Sequence, residues 1–293
     1  MSQNRKKIVT DFNQLPKIFN RHFAEMKNAG HSITALTAYD YPTAKLVDHA
    51  GVELILVGDS LRMVVQGKST TLGVTLEEMI YHCKMVSEAS SRAMVCLDMP
   101  FLSYQVNQDE AVYNAGRSLT EGGAGSVKIE GACGELIARL VETGIPVLAH
   151  LGFTPQSYHQ FGGYGIIGKN LARAEQLVEE AIAVEQAGAY AVVLECIPDE
   201  VAGTITKLLT IPTIGIGSGP HCNGQILVFH DIFGLYPHLP KHVKVYQDLG
   251  KLILEGVEKY IGEVRQAKFP SAGNYYKLEP DVLREWKKLH PDD

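Results

Sequence analysis

The chain has no apolar run near the roughly 20 residues a membrane-crossing helix needs. It also lacks an apolar signal core at its start. The first ten residues are poor in acids and carry Arg5-Lys6-Lys7, which faintly suggests an organelle leader. Asp11 and the lack of an Arg/Ser-rich amphipathic stretch argue against one, so a cytoplasmic location is expected. Cysteine is sparse: Cys83, Cys96, Cys133, Cys196 and Cys222 are dispersed, odd in number and without a CxxC pair. That speaks against a disulfide framework and a zinc site. Cys96 and Cys196 fall in apolar strand-like runs, the setting of buried structural thiols. A basic surplus is missing too. Lys and Arg number 27 against 33 Asp and Glu, a net charge of −6, which argues against nucleic acid or an anionic membrane as partner. No low-complexity segment is present, and no GxGxxG opens a first helix.

What remains is an ordinary core-forming composition, 45% hydrophobic over 293 residues. Short β-rich runs alternate with helical patterns. Strands are predicted at 33–40, 53–60, 93–100, 126–131, 146–152, 191–198 and 212–219, with a weaker eighth, ILVFHDIFG, at 226–234. The runs are nearly continuously apolar, as in parallel strands covered on both faces. Helices are predicted from Tyr41 to Ala50, Leu76 to Ser87, Gln108 to Gly122, Glu135 to Thr143, Leu171 to Ala187, Glu200 to Leu209 and Leu249 to Ala267. Several close on glycine before the next strand, as at Ala50-Gly51-Val52 and Ala187-Gly188-Ala189. This grammar, repeated about eight times, predicts a single-domain α/β protein, a (β/α)8 TIM-type barrel. A doubly wound open sheet is the alternative. The expected organisation is an N-terminal extension with a helix (1–29), the catalytic barrel (30–270) and a charged tail (271–293) suited to the surface or a subunit contact.

Acids stand where strand patterns run out: Asp59 in ELILVGDS, Asp98 in AMVCLDMP, Glu130 in SVKIEG and Glu195 in AVVLECIP. His150 and Ser218 occupy similar positions. In a (β/α)8 barrel these strand ends meet at the catalytic face. Any single acid there could be a loop cap. Three successive ones are costly without a cation or proton between them. All-oxygen donors suit Mg²⁺, held through Asp59 and Asp98 with Glu130 direct or through water. Such an ion would leave room for a bidentate 2-oxo acid and would offset charge on its keto oxygen. Lys128 and Glu130, two apart on a strand, share a face. The lysine reads as an anion clamp or as a buried ion-pair partner. Glu195, in an apolar setting, suits a general base for a weakly acidic C–H, or a salt-bridge partner of Lys128 or of a residue on a βα loop. His150 either donates to a substrate or braces a loop. IGIGSG (214–219) reads as an anion cradle or as close βα packing, and Gly162-Gly163-Tyr164-Gly165 as a mobile lid or a surface loop.

Taken together, LTAYDYPTAKL (36–46), LVGDSLRMVVQG (56–67), DMPF (98–101), VKIEG (127–131), HLGFTPQS (150–157), FGGY (161–164), VLECIP (193–198), IGIGSG (214–219) and GQILVFHD (224–231) resemble one family. It is that of 3-methyl-2-oxobutanoate hydroxymethyltransferase, also called ketopantoate hydroxymethyltransferase, and the resemblance runs from about residue 30 to 270. It implies a Mg²⁺-dependent enzyme of pantothenate synthesis, moving one carbon from 5,10-methylenetetrahydrofolate to 3-methyl-2-oxobutanoate to give 2-dehydropantoate. Carried over by residue, Asp59, Asp98 and Glu130 hold the metal. Asp59, Ser60, Asp98 and Lys128 contact the oxo acid, and Glu195 accepts the proton. A cytoplasmic homo-oligomer, commonly a decamer, is implied as well. Two departures stand out: Arg62 replaces the usual glycine of VGDSLGM, either altering the loop or meeting the folate tail, and the tail beyond Ala272 is longer than in many bacterial members. The rival readings are a barrel of the phosphoenolpyruvate mutase and isocitrate lyase type acting on a different 2-oxo acid, and a catalytically dead barrel used for binding.

Overall fold

The computed structural model describes residues 12–236 and 239–291. The Arg5-Lys6-Lys7 cluster and Asp11 lie outside them. Helix α1 (Asn20–Ala29) precedes β1 (Ile33–Thr37), α2 (Tyr41–Ala50) and β2 (Leu54–Val57). A one-turn α3 (Leu61–Val64) and α4 (Leu76–Ala89) lead to β3 (Met94–Asp98), followed by α5 (Gln108–Thr120), β4 (Ser126–Glu130) and α6 (Gly134–Glu142). Next come β5 (Val147–Gly152), the short α7 (Tyr158–Phe161), α8 (Leu171–Gln186), β6 (Ala191–Glu195) and α9 (Asp199–Leu208). The chain finishes with β7 (Thr213–Ile216), β8 (Gly224–Leu227), α10 (Phe229–Ile232), α11 (Leu249–Arg265) and α12 (Pro280–Leu289). All neighbouring strands pair in parallel, and β8 returns to β1 to close an eight-stranded barrel. The predicted (β/α)8 class is therefore the observed one.

Local chemistry explains the helix boundaries. Asp40 accepts the Thr43 N–H at the start of α2 (2.8 Å), and Thr75 with Glu78 forms a capping box on α4. Gly51 ends α2 at φ 96°, a left-handed cap that a side chain would strain. The predicted strands ran too long, because their last residues are the site-bearing loops. The eighth differs most. β8 begins two residues earlier than predicted, and Phe229–Ile232 is helical, its Asp231 and Ile232 N–H groups donating to the Val228 carbonyl.

Strand alternation sorts the core in two. Ile55, Val57, Val95, Leu97, Val127, Ile129 and Val147 face the helices. Leu54, Leu56, Met94, Cys96, Leu148, Ala191, Val193, Ile214 and Ile226 fill the barrel interior, plugged from below by Ile18, Phe23 and Met26. Continuing that inward parity by two residues reaches Asp98, Lys128, Glu130, His150 and Glu195. The apolar interior thus ends in a polar layer at the C-terminal rim. Among the described residues no helix is long and apolar enough to cross a membrane.

Candidate active site

Strand pairing sets the layer: Asp98 lies beside Lys128, Glu130 beside His150, and Gly152 beside Glu195. Asp59 arrives differently. β2 stops at Val57, and Gly58-Asp59-Ser60 form the turn into α3, where the Asp59 N–H donates to Asp98 Oδ2 at 3.2 Å. Ser60 Oγ shares a hydrogen bond of 2.8 Å with the buried Tyr39 hydroxyl. Lys128 Nζ donates to Asp98 Oδ1 at 2.6 Å and lies 3.6 Å from Glu130 Oε1. The lysine therefore pairs with Asp98 and Glu130 rather than with Glu195. Asp59, Asp98, Lys128 and Glu130 are all buried.

This is a crowd of carboxylates around one ammonium. Burial, then the charges of Asp98 and Glu130, holds the Asp59 carboxyl well above the usual range. Burial also raises Asp98, against the pull of Lys128. For Glu130 burial opposes ionisation too, but Lys128, His150 and the Gln156 N–H outweigh it and lower its pKa. Lys128 is raised, since its carboxylate neighbours overcome its own desolvation. Glu130 Oε1 is buried without a hydrogen-bond partner. Such an excess of hard, partly unsatisfied oxygen fits a hard cation bound through few protein ligands. Among the described residues, no three His, Cys, Asp or Glu side chains form a ready-made metal cage.

Glu195 meets His150, a partner the sequence reading did not name for it. His150, 1% exposed, presents Nδ1 to Glu130 Oε1 at 3.5 Å and Nε2 to Glu195 Oε2 at 3.3 Å. Neither contact has hydrogen-bond alignment, so the attraction is chiefly between charges. Burial and Lys128 disfavour the imidazolium, but the two carboxylates prevail and raise His150 to about 9. Contact with two site carboxylates is neither of the roles expected for His150 from sequence.

Sequence reasoning missed Gln156, Tyr104 and Tyr39. Buried Gln156 gives its backbone N–H to Glu130 Oε2 (3.0 Å) and its amide to Asp59 Oδ2 (3.2 Å) and the Met99 carbonyl (2.9 Å). Tyr104 donates to Gln156 Oε1 at 2.8 Å and accepts the Glu130 N–H at 3.1 Å. Only their uncharged polarity inside HLGFTPQS and after DMPF hinted at them. Ser218 is occupied elsewhere: its hydroxyl donates to the Leu194 carbonyl at 2.8 Å and accepts the Ile197 N–H at 3.3 Å, bracing both sides of Glu195. IGIGSG packs closely, one of the two readings open for it. A Cβ on Gly219 would meet the Asp199 carboxylate, which would also repel a negative ligand. Cys196 lies past β6, not within it, and burial followed by Glu195 pushes its thiol up to about 11, far from a thiolate nucleophile at neutral pH.

A family model for ketopantoate hydroxymethyltransferase matches residues 17–272. The chain belongs to the ketopantoate hydroxymethyltransferase family. The 3-methyl-2-oxobutanoate hydroxymethyltransferase of Carboxydothermus hydrogenoformans is 52% identical over 262 residues, 88% of this chain and 95% of the relative. That of Thermoanaerobacter sp. is 48% identical over 266 residues, 90% and 97% of the two chains. Among solved structures, phosphonopyruvate hydrolase in complex with oxalate and Mg²⁺ shares the fold with a TM-score of 0.56 at 14% identity, covering 92% of this chain and 98% of the other. A 2,3-dimethylmalate lyase of the PEP mutase/isocitrate lyase superfamily gives 0.54 at 18%, covering 94% of each. These two likenesses speak to the barrel alone. Within the ketopantoate hydroxymethyltransferase span lie all the residues described above, whereas α12 falls beyond it. Arg62, the departure from the usual family phrase, lays its guanidinium against Gly73 (3.2 Å from the position of a Cβ there).

Proposed function

We propose that the chain transfers a hydroxymethyl group to 3-methyl-2-oxobutanoate, giving 2-dehydropantoate for pantothenate synthesis, with 5,10-methylenetetrahydrofolate as the carbon donor. The carrying observation is the charge layout at one barrel rim. Lys128 stands among Asp59, Asp98 and Glu130, with Glu195 linked to the group through His150. In a chain of this family, that layout suits an anionic substrate on one side and a proton acceptor on the other.

Asp59 and Asp98 would hold Mg²⁺, with Glu130 direct or through water, and the bound ion would supply positive charge to the oxo-acid oxygens. Lys128 offsets the substrate carboxylate, while Ser60, kept in place by Tyr39, offers a hydroxyl beside it. Glu195 takes the C3 proton. His150 holds that carboxylate toward the site by charge attraction. The C3 electron pair then bonds to the donor's methylene carbon as one of its two C–N bonds breaks. Water displaces the second nitrogen and supplies the hydroxyl, and the C3 proton and one water proton end on the two nitrogens of the departing tetrahydrofolate. The protein is read as a cytoplasmic homo-oligomer, a decamer in keeping with the family resemblance. Support for association comes from α11, which buries none of its residues against its own barrel while exposing Ile253, Leu254, Val257, Tyr260 and Val264.

Exchange of the C3 hydrogen of 3-methyl-2-oxobutanoate in D₂O with Mg²⁺, followed by proton NMR, tests the reading. Exchange is expected in the wild-type chain and a loss of at least about 100-fold in Glu195→Gln. Undiminished exchange in that variant would sink the base assignment, and undiminished turnover in excess chelator would sink the metal.

A further inference from the structure

The Gly162-Gly163-Tyr164-Gly165 run has a job that the chemistry above does not use. Gly162 and Gly163 adopt φ 71° and 123°, conformations that L side chains avoid, and they turn the chain back after α7. The return lands Tyr164 on Phe153, with ring centroids 5.1 Å apart and planes tilted by 36°. Tyr158 meets Tyr164 edge-on at 5.3 Å and 65°, and Phe161 packs on Phe153 at 5.5 Å. Phe153 is fully buried, so the group is anchored at its base. Tyr164 itself is 61% exposed.

Its position is as telling as its packing. The Tyr164 hydroxyl reaches across to Met63 Sδ at 3.5 Å, on α3 directly after Asp59 and Ser60. Thioether sulfur is a weak acceptor, easily given up for a better one. Burial, then the charges of Glu195, Tyr158 and Asp59, raises this phenol to about 12, so the ring lies within electrostatic reach of the acids on both sides of the site. A carbon donor that reached C3 of the oxo acid from the α3 side would pass over that line. An anchored aromatic surface open at that point offers one kind of recognition above all: stacking of a flat ring.

We propose that Tyr164, supported by Phe153 and Tyr158, is the stacking surface for the planar pyrimidine half of the donor's reduced pterin ring. The inference rests on the folate donor named above, and it assigns a specificity-determining residue to that half of the reaction.

The test compares Tyr164→Phe, Tyr164→Trp and Tyr164→Leu in the full-length, Mg²⁺-loaded enzyme. Three readouts are taken: the KM for 5,10-methylenetetrahydrofolate, the Kd of tetrahydrofolate alone by calorimetry, and C3 exchange in D₂O without donor. Phe and Trp should keep donor KM and tetrahydrofolate Kd within a few-fold, while Leu should raise both about 10- to 100-fold. Exchange should stay within about twofold of wild type in all three. Unchanged tetrahydrofolate affinity in the Leu variant would overturn the proposal. So would parallel loss of exchange, or loss of affinity in Phe and Trp equal to that in Leu, since a structural role would then suffice. Absence of wild-type exchange strikes at the base assignment instead, and the calorimetric series then still decides whether the ring stacks.

Discussion

Gln156 shows how a single uncharged side chain can organise charged ones. Its amide and backbone N–H reach Asp59, Glu130 and the Met99 carbonyl at once, and Tyr104 fixes which way the amide points. Gln156→Ala should therefore cut Mg²⁺ affinity or turnover about 10- to 100-fold while leaving the fold intact, as measured by metal titration and steady-state kinetics. His150 carries a pH signature. Its folded pKa of about 9 lies above the unfolded value of about 6.5, so its stabilising charge is fully present below about 6.5 and is lost as pH rises through 9. In chelator, the melting temperature of the wild type should fall over that window more steeply than that of His150→Gln; equal slopes would count against it. The acids were legible because each interrupts an apolar run, and the inward parity of Lys128 and Glu130 followed from strand geometry. Gln156, Tyr104 and Tyr39 were not. Their partners lie far away in sequence, and nothing local marks a neutral polar residue as buried.

Among the elements, the predicted helices from Tyr41 to Ala50 and from Leu249 onward begin where the structure has them, because cap chemistry is local. Strand ends were harder to read. Apolar residues continue past the last ladder bond into 229–232, where the chain coils into α10 instead. Equally hidden was the clasp between α2 and β3. Asp48 accepts the N–H groups of Ser91 (2.9 Å), Arg92 (3.1 Å) and Ala93 (2.7 Å), plus the Ser91 hydroxyl (2.9 Å). Burial alone would raise this carboxyl, but those donors lower it. A depressed folded pKa means the stabilisation is present above the unfolded value of about 3.9 and is lost as pH falls through the folded one. Asp48→Ala should cost about 2–3 kcal/mol at neutral pH by denaturant unfolding, with the gap from wild type closing in acid.

At the scale of the whole molecule, closure of the barrel follows from repetition that the sequence displays openly, whereas assembly does not. The apolar residues of α11 look like core from sequence and are exposed in the single chain. Light scattering should find a species several times the 32.1 kDa of one chain. Val257→Asp with Tyr260→Glu should shift it toward smaller forms, and a wild-type monomer would remove α11 from consideration. The crowded acids also bear on the entire fold. Their mutual repulsion is stored in every folded molecule that carries no cation. Asp59→Asn should therefore melt higher than wild type in chelator, yet lose the rise in melting temperature expected of wild type as Mg²⁺ is added. Ion occupancy and folding are then linked equilibria. With Mg²⁺ held there as proposed, the unfolding midpoint of the wild-type chain would become a gauge of free metal, and a cell short of the ion would hold a less durable protein as well as a slower one.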